Sequence, residues 1–124
     1  MVFKGYFGMK DGLIKIERAL ISVSDKSELL DLANSLSKRK IEIISTGGTS
    51  KFLMENGYKV TEVSKLTGFP EILNGRVKTL HPGIHAPILF DREDAGSVKE
   101  IKDKGLGPID LVVVNLYPFE DKVK

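Results

Sequence analysis

Short apolar runs alternate with helix-like patterns along most of the chain. The run at residues 19–23 lacks polar alternation, which is typical of a strand buried on both faces. Residues 29–36 then carry Leu and Ala at helical spacing, followed by basic residues that suit the end of a helix. Two more segments that are mostly apolar, at 41–44 and 110–116, predict further strands.

The segments between these runs carry weaker patterns. Residues 51–56 predict a short helix, with Gly57 placed to end it. Residues 58–63 alternate between apolar and polar, which indicates an exposed edge strand. The stretch 64–87 is rich in Gly and Pro, and its scattered apolar side chains favour a long ordered loop that packs on the domain. Residues 93–104 predict a charged, exposed helix.

Strands that alternate with helices imply a parallel sheet with right-handed crossovers. We therefore predict an α/β fold, with a parallel sheet covered by helices on both faces. In such sheets ligands bind at the carboxyl ends of the strands. Residues 1–15 show no clean period and are expected to be a flexible leader, whereas residues 16–124 are expected to form the domain.

Composition narrows the class of protein further. The 124 residues hold 19 basic and 17 acidic side chains, a balance that favours neither a nucleic-acid partner nor a membrane surface. The absence of Cys excludes disulfides, thiolate nucleophiles and zinc fingers. No apolar stretch approaches the roughly 18 residues of a membrane span. The composition therefore predicts one soluble domain, which we expect in the cytoplasm.

Two strand-to-helix junctions, at residues 22–27 and 45–50, carry hydroxyls beside helix starts. The unpaired N–H groups and the dipole of a helix start favour an anion. Gly47 and Gly48 would let a phosphate approach the backbone closely. Helix capping explains either junction alone, but two junctions at one sheet edge favour a phosphate site. Neither junction matches a P-loop or a dinucleotide-binding loop, so ATP and NAD are not predicted.

A second cluster of polar side chains lies at residues 74–85. Arg76 and Lys78 would point the same way from an extended segment, where they could clamp an anion. His81 and His85 are four residues apart, but Pro and Gly lie between them and no metal-binding motif surrounds them. No metal site is predicted, and a hydrogen bond between at least one His and the backbone of its own loop is the favoured interpretation.

Tyr117 follows the last predicted strand. A phenol at that edge can hydrogen-bond a substrate or act as a weak acid, or it can simply pack with its hydroxyl in solvent. The sequence assembles neither a Ser–His–Asp arrangement nor a carboxylate pair. The available chemistry is phosphate anchoring combined with cationic or phenolic groups.

Four blocks of these residues, read together, resemble the N-terminal part of the IMP cyclohydrolase domain of bifunctional purine-biosynthesis enzymes. The blocks are residues 21–26, 45–49, 67–82 and 115–119, and the resemblance covers about residues 16–121. It implies a methylglyoxal-synthase-like, Rossmann-like three-layer sandwich. It also implies closure of the formyl-AICAR ring to give IMP and water, by a homodimer that needs no metal or cofactor.

The resemblance assigns catalytic roles to Lys78 and Tyr117. It implies that the substrate is bound by Ser24, Asp25, Lys26, Thr46, Gly47, Gly48, Thr49, Arg76, Val77, Lys78, Thr79, Val114 and Asn115. The family's domain continues past the position of Lys124 with an Asp-Ile-Gly-Gly segment and a later Lys. The chain is therefore expected to be truncated, without the AICAR formyltransferase domain.

Three alternatives stay open at this point. Methylglyoxal synthase shares the fold but uses a Gly-Gly-Asp segment, and residues 74–78 hold no such Asp. A nucleotide-sensing module, like the regulatory domain of carbamoyl phosphate synthetases, would keep the phosphate junctions but would not need Arg76, Lys78 and Tyr117 together. A fragment that binds nucleotides without catalysis is the third.

Overall fold

The computed structural model describes residues 2–5, 14–23, 26–70 and 81–115. Five strands and five helices form within these ranges. In chain order they are β1 (Val2–Gly5), β2 (Arg18–Ser22), α1 (Leu29–Lys38), β3 (Glu42–Ser45), α2 (Gly47–Glu55), β4 (Thr61–Glu62), α3 (Val63–Thr67), α4 (Pro82–Leu89), α5 (Ala95–Asp103) and β5 (Leu111–Val114). No helix in the described ranges has the length and apolar character needed to cross a membrane.

The strands described form one sheet in the order β1-β5-β2-β3-β4. Strand β2 lies in parallel between β5 and β3, with Leu20 opposite both Val112 and Ile44. Strand β4 pairs in parallel with β3, and β1 pairs antiparallel with β5. The predicted parallel arrangement is confirmed for β2 to β5, and it brings the carboxyl ends of these four strands to one edge.

Alternate residues of the buried strands enter two separate cores. The first core joins strand residues to α1 and α2 and contains Ala19, Ile21, Val23, Leu29, Ala33, Leu36, Ile43, Leu53 and Val113. The second joins strand residues to α3 and α4 and contains Leu20, Ile44, Val63, Ile84 and Ile109. Burying each larger side chain contributes roughly 1.5–3 kcal/mol. The predicted three-layer sandwich is therefore confirmed, and the mostly apolar run at 19–23 is explained by burial on both faces.

Three helices end in the same hydrogen-bonded turn, with one residue in the left-handed conformation. After α2 and α5 that residue is Gly57 (φ 88°) or Gly105 (φ 71°), but after α1 it is Lys40 (φ 58°). At α1 the N–H of Ile41 donates to the carbonyl of Leu36 at 3.0 Å, as a Schellman motif requires. The prediction that Gly57 ends its helix is confirmed.

A buried ion pair lies at the amino end of the sheet. Arg92 Nη1 is 2.9 Å from Asp110 Oδ1, and the two side chains are only 13% and 6% exposed. The other carboxylate oxygen accepts hydrogen bonds from the backbone N–H groups of Glu17 at 2.9 Å and Arg18 at 3.0 Å. The carboxylate thus links the start of β2 to the segment that leads into β5.

The structure corrects two sequence-based expectations at the sheet edges. Residues 2–5, within the expected flexible leader, form β1, because β5 has β2 on only one side and its other edge is available for pairing. The expected strand at 58–63 is wrong in its extent. Only Thr61 and Glu62 pair as a strand, and Val63 begins α3, where it is 2% exposed. Val63 is apolar because it is buried as part of α3, and not because it belongs to an alternating strand.

The stretch 64–87 is also more regular than predicted. It includes most of α3 and α4 in the described residues, while residues 71–80 lie outside them. Helix α4 begins with Pro82 after His81, whose Nδ1 accepts a hydrogen bond from the N–H of Gly83 at 2.9 Å. Proline fits the first helical position because its missing N–H is not needed there. The predicted hydrogen bond between a His and the backbone of its own loop is confirmed at His81.

Candidate functional site

The predicted site residues divide between the described and undescribed parts of the chain. Those that lie outside the described residues are Ser24, Asp25, Arg76, Val77, Lys78, Thr79 and Tyr117. Val114 pairs with Ser22 at the carboxyl ends of β5 and β2, and Asn115 follows it. The other predicted residues lie at the ends of β2 and β3, the neighbouring strands. The described structure therefore brings part of the predicted site to one sheet edge.

The start of α2 has the properties of an anion site. Thr46 precedes the helix in an extended conformation, and its side chain makes no capping hydrogen bond to the helix. Gly47 has a φ of 57°, which L side chains rarely adopt, so glycine is favoured at this turn. The first helical N–H groups have no partner within a helix, and the first turn of α2 contains no acidic residue. The start of α2 therefore presents unpaired N–H donors and the positive end of the helix dipole, with no acidic side chain in the first turn to offset them.

The ammonium group of Lys26 adds a full positive charge to this turn. Its Nζ lies 3.9 Å from the point that a Cβ on Gly48 would occupy. The same Nζ donates to the carbonyl of Val23 at 3.3 Å, which fixes it beside the end of β2. The two predicted junctions therefore meet in space, as their strand order implies. A bound anion could contact the ammonium and the helix N-terminus together.

The hydroxyl of Thr49 is hydrogen-bonded within the fold. The hydroxyl donates to the carbonyl of Val23 at 2.9 Å and lies 3.3 Å from the N–H of Val23, which donates to it. The residue is only 4% exposed. Its side chain therefore ties the first turn of α2 to the end of β2. Only its backbone N–H remains to contact a ligand at this turn.

A cleft of about 520 Å³ begins at this turn and extends over α3. It is lined by Thr46, Gly47, Glu62, Ser64, Gly68, Phe69 and Pro70. Phe69 is 54% exposed, and its backbone is held by the Thr67 hydroxyl, which accepts from the Phe69 N–H at 3.1 Å. The cleft has room for a group larger than a phosphate, next to the start of α2.

Glu62, Ser64 and Phe69 were not predicted as site residues. Glu62 is the last residue of β4, so its position at the carboxyl edge follows from the sheet order alone. The rule that ligands bind at this edge would have indicated it, had β4 been assigned its observed end. Ser64 and Phe69 belong to a segment that had been interpreted as loop. In the described residues, no group of three or more acidic or His side chains could hold a metal ion.

Comparison with known proteins connects this geometry to relatives. The model of the MGS-like domain family matches residues 28–124. The bifunctional purine biosynthesis protein PurH of Clostridium botulinum (strain Hall) is 60% identical over 109 residues, which cover 88% of this chain and 22% of that protein. PurH of Clostridium acetobutylicum is 61% identical over an equally long match, with the same coverage of each chain.

A solved relative supports the same assignment at the level of structure. The crystal structure of ForH superimposes with a TM-score of 0.74 and 35% sequence identity, covering 83% of this chain and 54% of ForH. The chain spans 22% of the length of the curated PurH proteins and is homologous to their MGS-like part. Since the family model matches most of the chain and the fold agrees, the protein belongs to the family of MGS-like domains.

Proposed function

We propose that this chain is part of an IMP cyclohydrolase of purine biosynthesis, which closes the ring of formyl-AICAR to give IMP and water. The observation that carries the proposal is the meeting of Lys26 with the glycine turn at the start of α2, beside a cleft large enough for a nucleoside. Homology to PurH, a bifunctional purine biosynthesis protein, supports the same substrate class.

In this proposal the 5′-phosphate lies at the N-terminus of α2. The backbone N–H groups of Gly47, Gly48 and Thr49 donate to it, and Lys26 neutralises part of its charge. Helix N-termini bind phosphate through this combination of unpaired donors and dipole. A substrate anchored in this way holds its reacting groups at a fixed distance from the protein, which lowers the entropic part of the barrier.

The chemistry falls to residues outside the described ranges. The carboxamide nitrogen attacks the formyl carbon, and negative charge develops on the formyl oxygen. We propose that Lys78 and Tyr117 stabilise that charge, each as a fixed donor whose loss would cost roughly 3 kcal/mol of transition-state stabilisation. Ser24 and Asp25 would line the nucleotide, and the base side would be lined by Arg76, Val77, Thr79, Val114 and Asn115.

The wider setting follows from the same resemblance. We propose that the enzyme acts as a homodimer in the cytoplasm, with no metal or cofactor in the reaction. Binding of the nucleotide without turnover is the alternative function. The specific observation in its favour is that Lys26, the glycine turn and the cleft support binding of a nucleotide whether or not turnover follows.

The test is formation of IMP from formyl-AICAR, followed by ultraviolet absorbance against an enzyme-free blank. Lys78→Ala tests the catalytic assignment, and Lys26→Ala tests the phosphate position. Lys51→Ala is the matched control, because Lys51 is an exposed lysine of α2, the helix whose N-terminus would hold the phosphate. We expect turnover that collapses in Lys78→Ala. In Lys26→Ala we expect KM to rise about tenfold or more, since a charge-assisted contact is lost.

Each result separates the two functions. A rate equal to the blank, with IMP binding retained, would support the nucleotide-binding alternative and refute catalysis by this chain. A rate that Lys78→Ala does not lower would refute the catalytic role of that lysine. Equal effects of Lys26→Ala and Lys51→Ala would contradict the phosphate position.

A further inference from the structure

Glu62 places a carboxylate in the cleft beside the proposed phosphate position. It is the last residue of β4, next to the end of β3, and it lines the same cleft as Thr46 and Gly47. A negative side chain there opposes the binding of an anion at the neighbouring turn. A carboxylate at this place is therefore expected to contact a group other than the phosphate.

The fold uses this carboxylate very little. Glu62 occupies the position before α3, but its side chain makes no capping hydrogen bond to that helix. The hydroxyl of Ser50, a fully buried residue in the first turn of α2, donates to Glu62 Oε1 at 3.3 Å. Among the described residues, the other oxygen, Oε2, has no hydrogen-bond or ion-pair partner. Ser50 thus holds the carboxylate toward α2 and leaves one oxygen open to a ligand.

The chemistry of a carboxylate limits what that ligand group can be. An ionised carboxylate only accepts hydrogen bonds, so it cannot hold a phosphate. In a nucleoside monophosphate the donors nearest the 5′-phosphate are the hydroxyls of the ribose. Dinucleotide-binding α/β proteins also use a carboxylate at the carboxyl edge of the sheet to accept from a ribose hydroxyl.

We propose that Glu62 accepts hydrogen bonds from the 2′- and 3′-hydroxyls of the bound nucleotide and is a specificity-determining residue for ribonucleotides. This inference rests on the proposed nucleotide function. Ser50 is then a positioning residue, because it acts on the ligand only through Glu62. The negative charge is useful in this role despite its closeness to the phosphate position, since a charged acceptor strengthens hydrogen bonds from neutral hydroxyls.

The test compares the binding of IMP and 2′,3′-dideoxy-IMP to the 124-residue chain by calorimetry. We expect the unsubstituted chain to bind IMP about tenfold or more tightly than the dideoxy nucleotide. Glu62→Ala should lose that preference, with weaker binding of IMP and unchanged or slightly tighter binding of the dideoxy nucleotide. Glu62→Gln should keep part of the preference, and Ser50→Ala should reduce it. Glu55→Ala removes an exposed carboxylate from the other end of α2 and serves as the control.

Circular dichroism of each variant verifies that the fold is retained. Equal loss of both ligands in Glu62→Ala would assign Glu62 a structural role and overturn the inference. Equal affinity of the unsubstituted chain for both ligands would overturn it while leaving the proposed function intact. If the unsubstituted chain bound neither nucleotide, the proposed function itself would fail, and this inference would fail with it.

Discussion

Replacing Asp110 with Ala should be among the most damaging changes to stability in the described part of the chain. The substitution removes the buried partner of Arg92, whose Nη1 lies 2.9 Å from the carboxylate. It also removes the acceptor for the N–H groups of Glu17 and Arg18, at 2.9 and 3.0 Å. The guanidinium would then keep its charge at a site where its side chain is 13% exposed.

The size of the effect follows from these contacts. Removing one partner of a buried ion pair costs about 3–5 kcal/mol, because the remaining charge stays desolvated. The two backbone N–H groups are less buried and can reach water, so they add little beyond this range. A second ion pair provides a matched control. Lys99 and Asp103 lie 3.1 Å apart on α5 but are 78% and 62% exposed, so Asp103→Ala should cost less than about 1 kcal/mol.

The assay is urea unfolding of both variants, together with Arg92→Met and the double variant Asp110→Ala/Arg92→Met. In the double variant no charge is left unpaired, so its loss of stability should be smaller than the sum of the two single losses by about 1 kcal/mol or more. Arg92 also donates to the carbonyl of Ile109 at 3.1 Å, and that contact is lost in both variants that lack it. Additive losses, or a cost for Asp110→Ala no larger than that for Asp103→Ala, would refute the reasoning.

Two further predictions concern single turns of the backbone. Lys40→Gly should raise the free energy of unfolding by about 0.5–1 kcal/mol, because Lys40 has a φ of 58° that glycine adopts without steric cost. The reverse change at the equivalent position after α2, Gly57→Lys, should lower the free energy of unfolding by a similar amount. Both variants are measured by the same thermal or urea titration, and a loss of stability in Lys40→Gly would contradict this account. Thr49→Val should cost about 1–3 kcal/mol, because it leaves the buried N–H of Val23 without its hydroxyl partner, while the carbonyl of Val23 keeps the Lys26 ammonium as a donor. Thr49→Ser keeps that hydroxyl and should cost less than half as much, so equal costs for the two changes would show that the hydroxyl contributes nothing.

Local patterns in the sequence were sufficient for the elements whose causes are local. The apolar run at 19–23 is buried because β2 has neighbours on both sides and helices on both faces. Gly57 ends its helix because the turn needs a left-handed residue. The glycine turn at 47–48 lies at a helix start as predicted, although α2 begins at Gly47, four residues before the helix predicted over 51–56. In each case the residue type and its neighbours along the chain carry the physical reason.

The elements that sequence reasoning missed depend on partners far along the chain. Strand β1 exists because β5 has a free edge, and no pattern within residues 1–15 reveals that edge. Helix α4 was interpreted as loop because proline occurs in loops as well as at helix starts. The burial of Ile84 against β-strand residues decides between the two. The contact of Ser50 with Glu62 depends on the pairing of β3 with β4. Such contacts follow from topology, which local periodicity does not determine.

The polar groups at the two ends of the sheet have different roles: those at the amino end are satisfied within the fold, and those at the carboxyl end are available to a ligand. Because the two sets lie apart, a small domain can hold both. At the amino end, Asp110 and Arg92 satisfy each other and nearby backbone groups, so their chemistry is used within the fold. At the carboxyl end, the start of α2 and the open oxygen of Glu62 leave donors and an acceptor facing a cleft. Unsatisfied groups reduce stability unless water or a ligand contacts them. Groups at the carboxyl end can therefore remain available to a ligand, because the buried ion pair at the other end is already satisfied within the fold. On this reasoning Lys26→Ala should weaken nucleotide binding and leave the free energy of unfolding nearly unaltered. Asp110→Ala should lower the free energy of unfolding and, under conditions in which the chain is folded, leave nucleotide affinity nearly unaltered.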